Sequence, residues 1–404
     1  VKMERVRLID GLRGFSLFGI LLANMLIFQY GMFGKDEISY FSLSDLDTGA
    51  YQFIKIVVEG SFMPIFTFLF GYSLIKLVES LRKKDVRVRW HLVRRFILLI
   101  IIGILHGTFL WEGDILAFYG FMGFFLLIFI NRKVKTLIIW GAILFLLTSA
   151  MNYGVLEETK EQEEKLSTYI TKTNDIYTNG TYSDISHHRN NEMPPIFEDE
   201  NEFLLIFVII LAPFVTAPLF LFGMAAAKAN LFTRPSLERK WYKIGVWLLP
   251  IGLALKGASV FLRENAWSGM LLNVGAQLLS VGYISLFALL FIAFAHSKVF
   301  LAFQSVGKLS LTNYIMQSVI CTTIFYGYGL GLFGDLGMLN SIILGLVIFA
   351  LQCLCSSLYL KKIRRGPLEI ILRIGTNFSW NGAVRKRKTR LKKSKKIELE
   401  NTLV

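Results

Sequence analysis

Arg94-Arg95-Phe96-Ile97-Leu98-Leu99-Ile100-Ile101-Ile102-Gly103-Ile104-Leu105-His106-Gly107-Thr108-Phe109-Leu110 is the stretch that decides the fold. It holds one unbroken apolar block, from Phe96 to Leu105, closed below by two arginines and above by a histidine. A helix of roughly 20 apolar residues crosses about 30 Å of hydrocarbon, so 94–112 reads as a membrane span. Working outward, comparable runs occupy 11–33, 52–80, 114–131, 136–152, 203–228, 241–263, 270–296, 308–332 and 338–360. The expectation is an all-α polytopic integral membrane protein with about ten transmembrane helices.

Composition points the same way. The chain has 404 residues, 54% of them hydrophobic and only 18% charged, yet its formal net charge is +15. A basic soluble protein reads first as a nucleic-acid binder, but the apolar runs override that reading. They also exclude a soluble enzyme, a disordered protein and a secreted disulfide scaffold. Cys321, Cys353 and Cys355 all lie inside apolar runs, so neither a disulfide framework nor a zinc site is expected. No signal peptide is read before the first run, which opens at Gly11 and is expected to stay as a helix.

Lysine and arginine set the orientation. With the N-terminus placed inside, 34 of the 44 basic residues fall on the inner side and 6 on the outer. That asymmetry predicts both termini in the cytoplasm, in the plasma membrane. The organisation is then a five-helix half (1–152), an acidic external loop or small cap (153–202), a second five-helix half (203–360) and a basic tail (361–404). In the external segment, Glu157–Lys165 is helix-prone and would extend the fifth helix outward. Asn179-Gly180-Thr181 matches a glycosylation sequon, with chance as the simpler account. From Arg385 to Lys396, nine of twelve residues are basic, which reads as an anchor to anionic lipid or as a partner-binding tail.

Polar groups inside hydrocarbon cost several kcal/mol unless satisfied, so each marks a site or a structural bond. Asp10, Arg13 and Asn24 share one face of the first helix, either as a snorkelling pair with a neighbour or as a cavity wall. Arg95 and His106 share a face of the third, with Arg94 beside them and His106 about 17 Å above Arg95. His106 suits either a general base or a satisfied structural histidine. Gly103 and Gly107 let a second backbone approach it. Asp114 is expected to cap the fourth helix. It reaches His106 only if the chain folds back, because eight helical residues turn about 80°. On the ninth helix Ser310, Asn313, Tyr314, Gln317 and Cys321 form a stripe, as interhelical bonds or as a cavity wall, with Ser318 beside it. Lys55 and Glu59 are expected to pair, and Lys256 shows no partner in the sequence.

The ordered set of these motifs resembles the bacterial YeiB-like membrane proteins (domain of unknown function 418). The matching pieces are Leu8-Ile9-Asp10-Gly11-Leu12-Arg13-Gly14-Phe15 with Asn24, Phe66-Thr67-Phe68-Leu69-Phe70-Gly71, and Arg94-Arg95 through His106 to Gly113-Asp114-Ile115-Leu116. Further pieces are Gly307-Lys308-Leu309-Ser310-Leu311-Thr312-Asn313-Tyr314 with Gln317-Ser318, and Gly366-Pro367-Leu368-Glu369. Ile370 stands where an aromatic residue is common in that family. The family is similar to a wider group of transmembrane acyltransferases, including lysosomal heparan glucosaminide N-acetyltransferase. That likeness implies His106 as base or acyl carrier, with Asp114 beside it.

The resemblance further implies acyl-CoA as a donor substrate with no tightly bound cofactor. Asp10, Arg13, Arg94 and Arg95 would line the donor path. Asn24, Asn313, Tyr314, Gln317 and Ser318 would contact the reacting group. The acceptor would be a glycan or lipid of the envelope. The bilayer is the expected partner, with no nucleic acid, and a homo-oligomer is compatible. A small-solute transporter, or a non-catalytic assembly or signalling protein, remains the alternative. The two halves show no convincing internal repeat, which weighs against the carrier.

Overall fold

A computed structural model describes residues 6–154, 159–192, 194–195, 202–262 and 265–382, with only the backbone for 202–209. The basic run 385–396 lies outside the described residues. Every regular element among the described residues is helical. The first half contains α1 (Arg7–Gly34), α2 (Asp45–Phe53), α3 (Met63–Arg82), α4 (Val88–Phe109), α5 (Leu116–Leu126) and α6 (Val134–Met151). Two helices stand outside the bundle, α7 (Lys160–Asn179) and α8 (Tyr182–Asn191). The second half contains α9 (Glu202–Lys228), α10 (Arg239–Val246), α11 (Leu248–Phe261) and α12 (Ser268–Phe294). It continues with α13 (Lys298–Lys308), α14 (Ser310–Phe325), α15 (Met338–Lys362) and α16 (Pro367–Asn377).

Among the described residues, eight helical stretches are long and apolar enough to cross a membrane. The expected span 52–80 is interrupted: a π-helical turn at Ile54–Val58 ends at Glu59, and α3 begins only at Met63. Two expected spans are shorter than the sequence reading: α5 has 11 residues and α14 has 16. In α5 the helix gives way to turns after Leu126. In α14 it stops at Phe325, where the glycine-rich 327–334 segment leaves the bundle. The most buried of the spans is α1. It packs against α13, α15, α3 and α14, while α9 joins α3 to α6 and α11 joins α12.

The breaks leave ionic groups that the structure satisfies. Lys55 and Glu59 pair at 2.6 Å, and Lys35 joins Glu59 at 2.8 Å. Lys256, fully buried, donates to the Glu59 carbonyl at 2.5 Å and the Ser61 hydroxyl at 3.2 Å. The interruption of the second span thus frees the carbonyl that receives this lysine.

The acidic segment is a cap of two helices. Thr159 and Thr181 each close a capping box, with Gln162 and Asp184 as partners. The sequon threonine therefore works as the α8 cap. The expectation that 157–165 extends the preceding helix is not met: α6 stops at Met151 and α7 starts separately at Lys160. The cap is bonded to the bundle. Tyr182 donates to the Phe109 carbonyl at 2.7 Å, Arg189 donates to the Thr108 and Leu110 carbonyls, and Gly327 N donates to the Tyr177 carbonyl at 2.7 Å. Below, the end of the bundle carrying α7 and α8 is the cap end, and that carrying Lys308 and Arg364 is the basic end.

Candidate functional site

The helix α4 ends where the chain reverses. Leu110 N and Trp111 N both donate to the His106 carbonyl, closing the last turn. Residues 111–115 then turn the chain so that α5 runs back along α4. This is the fold-back that the sequence left conditional, and it brings Asp114 to His106. Asp114 Oδ1 accepts from His106 Nδ1 at 2.8 Å, and its Oδ2 accepts from Ala117 N at 2.9 Å. One carboxylate caps the new helix and orients the histidine. The crossing depends on Gly103: a methyl placed there would stand 2.1 Å from Ala117 N and 2.6 Å from Asp114 Oδ2.

The other face of His106 meets α14. Its Nε2 lies 2.9 Å from Ser318 Oγ, and the His106 side chain is almost fully buried. A carboxylate only accepts, so Nδ1 carries a proton, and in the neutral ring Nε2 then accepts from the serine hydroxyl. Tyr314, one turn before Ser318, pins the reversal. Its hydroxyl accepts from Ile115 N and donates to the Gly113 carbonyl, each at 3.2 Å. Its ring centroid is 5.3 Å from the imidazole. Trp111 is completely buried, stacks on Phe28 at 4.4 Å and meets the His106 ring edge-on. The result is a buried Asp114–His106–Ser318 chain in which one group holds, one can take a proton and one can give it.

Below this chain lies a cavity of about 220 Å³. Tyr314, Ile115 and Leu116 close its upper end, and Arg13, Ser73, Arg95, Lys308 and Glu369 supply its polar wall. A second cavity of about 360 Å³ adjoins it at the basic end, sharing Arg95, Lys308 and Glu369. It adds Lys84, Arg364, Arg365 and Arg373. Its wall therefore carries six basic side chains and a single carboxylate, Glu369. That carboxylate is engaged, accepting from Leu311 N at 2.8 Å, Thr312 N at 3.1 Å and Thr312 Oγ1 at 2.6 Å. It caps α14 from α16, so the guanidinium groups keep their capacity for an anion.

The remaining residues singled out from the sequence divide. Arg13 lines the first cavity, bonds Ser73 and pairs with buried Asp10 at 3.3 Å. Arg94 does not face the cavity: its guanidinium lies 4.5 Å over the Phe378 ring. Asn24 lines neither cavity. Asn313 and Gln317 turn to α15 instead of the histidine. Asn313 Nδ2 donates to the Val306 carbonyl and Ser356 Oγ, and Gln317 Nε2 donates to Gln352 Oε1 at 2.9 Å. These two form the interhelical bonds that the stripe allowed.

Sequence reasoning did not assign Lys84, Lys308, Arg364, Arg365, Glu369 or Arg373 to a site. The available signal was Pro367 opening a helix with Glu369 in its first turn, close after a dibasic pair. No group of three metal-ligating side chains occurs among the described residues.

Comparison with known proteins places this architecture. Residues 226–379 match the family described as protein of unknown function (DUF418). The chain is 31% identical over 397 residues to the uncharacterized protein YxaH of Bacillus subtilis (strain 168), covering 95% of this chain and 97% of that one. It is 26% identical over 392 residues to the uncharacterized protein YeiB of Escherichia coli (strain K12), covering 92% and 96%. An uncharacterized 39.9 kDa protein encoded beside an amylase in Bacillus acidopullulyticus is 25% identical over 92% of this chain and 94% of its own. With its helical bundle and full-length match to these relatives, the chain belongs to the YeiB-like DUF418 family of multi-pass membrane proteins.

Proposed function

We propose that this protein is a membrane-embedded acyltransferase. It takes an acyl group from an acyl-CoA at the basic end, which is the cytoplasmic side of the cell membrane, and passes it to a hydroxyl or amine toward the cap end. The observation that carries this reading is the buried Asp114–His106–Ser318 chain, set one tyrosine ring beyond cavities walled by basic side chains.

The chemistry follows from the hydrogen bonds. Ser318 Oγ attacks the thioester carbonyl as His106 Nε2 takes its proton. Asp114 stabilises the imidazolium through Nδ1. Collapse of the tetrahedral intermediate breaks the carbon–sulfur bond, and the CoA thiolate takes the proton from Nε2. The same steps in reverse order move the acyl group from Ser318 to the acceptor oxygen or nitrogen. Arg95, Lys308, Arg364, Arg365 and Arg373 hold the phosphates of the donor. Because both ring nitrogens of His106 are engaged, the base role fits it better than that of acyl carrier.

The test is release of free CoA thiol by the purified protein in nanodiscs, from acetyl-CoA and longer acyl-CoAs, with a panel of hydroxyl and amine acceptors. Acceptor-dependent release by the wild type, lost in His106→Ala, is the expected result. Release that survives that substitution, or a wild type that turns over no donor in the panel, overturns the reading.

A further inference from the structure

Tyr314 stands between the first cavity and the polar chain. It lines the upper end of that cavity with Ile115 and Leu116, whereas His106, Asp114 and Ser318 line neither it nor the cavity at the basic end. On its other side the ring lies 5.3 Å from the imidazole, and Ser318 follows one turn later on the same face of α14. Both residues are buried, Tyr314 at 3% exposure and Ser318 at 1%. Below, the first cavity adjoins the second through Arg95, Lys308 and Glu369, and the wall of the second includes Arg364 and Arg365, both exposed. Solvent thus reaches the basic-end cavity, and the Tyr314 ring lies between the space above it and the serine.

The hydroxyl of that ring is held, but weakly. It donates to the Gly113 carbonyl and accepts from Ile115 N, each at 3.2 Å. An O–H···O bond of that length exceeds the usual range of about 2.5–3.0 Å, so the bond to Gly113 is a light latch. Gly113 and Ile115 are the neighbours of Asp114 in the reversal. The latch therefore ties down the peptides on both sides of the carboxylate that orients His106.

What such a ring must keep out follows from the chemistry. An ester of Ser318 is open to hydrolysis: a water oxygen bonds the acyl carbon as His106 Nε2 takes the water's proton. The carbon–Oγ bond then breaks, Nε2 returns the proton to Oγ, and the free acid leaves. Excluding water is the general protection of a reactive intermediate against that loss.

From this placement we infer that Tyr314 is a gate between the basic-end cavities and the nucleophile. Its ring shuts Ser318 off from the solvent-linked space. A donor that reaches the serine from below does so by displacing the ring and breaking its bond to Gly113. Tyr314 acts on access, as a positioning residue, and takes no part in bond making. That the gate favours the acceptor over water rests on the transferase reading; the closure itself does not.

The first arm of the test needs no donor. Full-length Ser318→Cys protein in nanodiscs is treated with N-ethylmaleimide, and mass spectrometry follows alkylation at position 318. The comparison is between Tyr314 intact, Tyr314→Phe and Tyr314→Ala. Both substitutions remove the hydroxyl, and only the second removes the ring. Alkylation is expected to be about tenfold or more faster with Tyr314→Ala than with the other two. Tyr314→Leu, a milder truncation, gives an intermediate rate and serves where the alanine variant does not fold. Unchanged alkylation in the truncated variants, or equal rates in Tyr314→Phe and Tyr314→Ala, overturns the gate. The second arm keeps Ser318 and compares CoA-thiol release from acetyl-CoA with and without an acceptor. Tyr314→Ala is expected to raise the acceptor-independent share about fivefold or more. Faster alkylation with an unchanged share overturns the protection against water. If no form turns over the donor, the transferase reading fails and the alkylation rates still decide the gate.

Discussion

Among the described residues two carboxylate–histidine–hydroxyl chains stand out, one in the bundle and one in the cap. In the bundle, Asp114, His106 and Ser318 come from the chain reversal, α4 and α14. In the cap, Glu192 bonds His188 Nδ1 at 2.7 Å and Thr173 bonds its Nε2 at 2.8 Å, all on α7 and α8 or at their ends. The groups are the same and the settings are not. The Thr173 hydroxyl also reaches the Tyr169 carbonyl at 2.8 Å, and Lys172 shares Glu192 at 2.7 Å. The cap chain staples two helices together. The bundle chain is buried, spans distant segments and stands beside a polar cavity. Three groups in a row do not by themselves make a site; what surrounds them decides.

The largest expected effect separates the two chains. In CoA-thiol release, His106→Ala lowers turnover about 10²–10⁴-fold, the usual contribution of a general base. Ser318→Ala falls as far, and the double variant falls no further, because the two act as a unit. His188→Ala and Thr173→Ala change turnover by less than about twofold. Equal losses from both chains would erase the distinction between them.

Next in size is the support of the bundle chain. Gly103→Ala forces α4 away from Ala117 N and Asp114, an overpacking of about 1–3 kcal/mol. Thermal unfolding reads the lost stability, and the His106 ring nitrogen shifts in NMR read the lost Asp114 bond. Retention of both would show that the close crossing is not required.

A smaller effect concerns the cap. Burial lowers the His188 pKa, against the opposite pull of Glu192, with Lys172 and His187 adding to the lowering. A histidine whose folded pKa is depressed stabilises above its unfolded value, near 6.5, and that contribution is lost as pH falls. Burial alone would raise the Glu192 carboxyl, but Lys172 and His188 hold it below its ordinary value, so it stays ionised through this window. The protection of α7 and α8 amides, measured as exchange relative to the intrinsic rate at each pH, is therefore expected to fall as pH drops from about 7 to about 5. His188→Gln removes that dependence. A cap whose protection ignores pH contradicts the neutral buried His188.

The smallest effect tests the edge of the basic wall. Arg94→Ala, whose guanidinium rests on Phe378, changes the KM for the acyl donor by less than about twofold, whereas Arg95→Ala raises it about tenfold or more. Equal shifts would put Arg94 in the donor path after all.

The membrane fold is legible in the sequence because the length of an apolar run is a local property. Its interruptions are less so, since a π turn at Ile54–Val58 and the early ends of α5 and α14 depend on neighbours. The site was half legible. His106 and Asp114 stand out as polar groups in apolar surroundings, yet helical arithmetic sets them apart, and only the reversal at 111–115 joins them. Ser318 lies 212 residues from its partner, a pairing no periodicity reveals. The polar stripe on α14 read as one face, but it is two. Tyr314 and Ser318 face the reversal, while Asn313 and Gln317, each one position earlier and about 100° around the axis, face α15. The basic wall escaped because its members come from α4, α13, α16, the turn after α3 and the link between α15 and α16, and converge only in three dimensions.

The two short helices carry a consequence of their own. At 1.5 Å per residue, α5 is about 16 Å long and α14 about 24 Å, against a hydrocarbon thickness of about 30 Å. Both flank His106. Neither matches that thickness as a single helix, whereas eight other helical stretches among the described residues are long enough by length and composition.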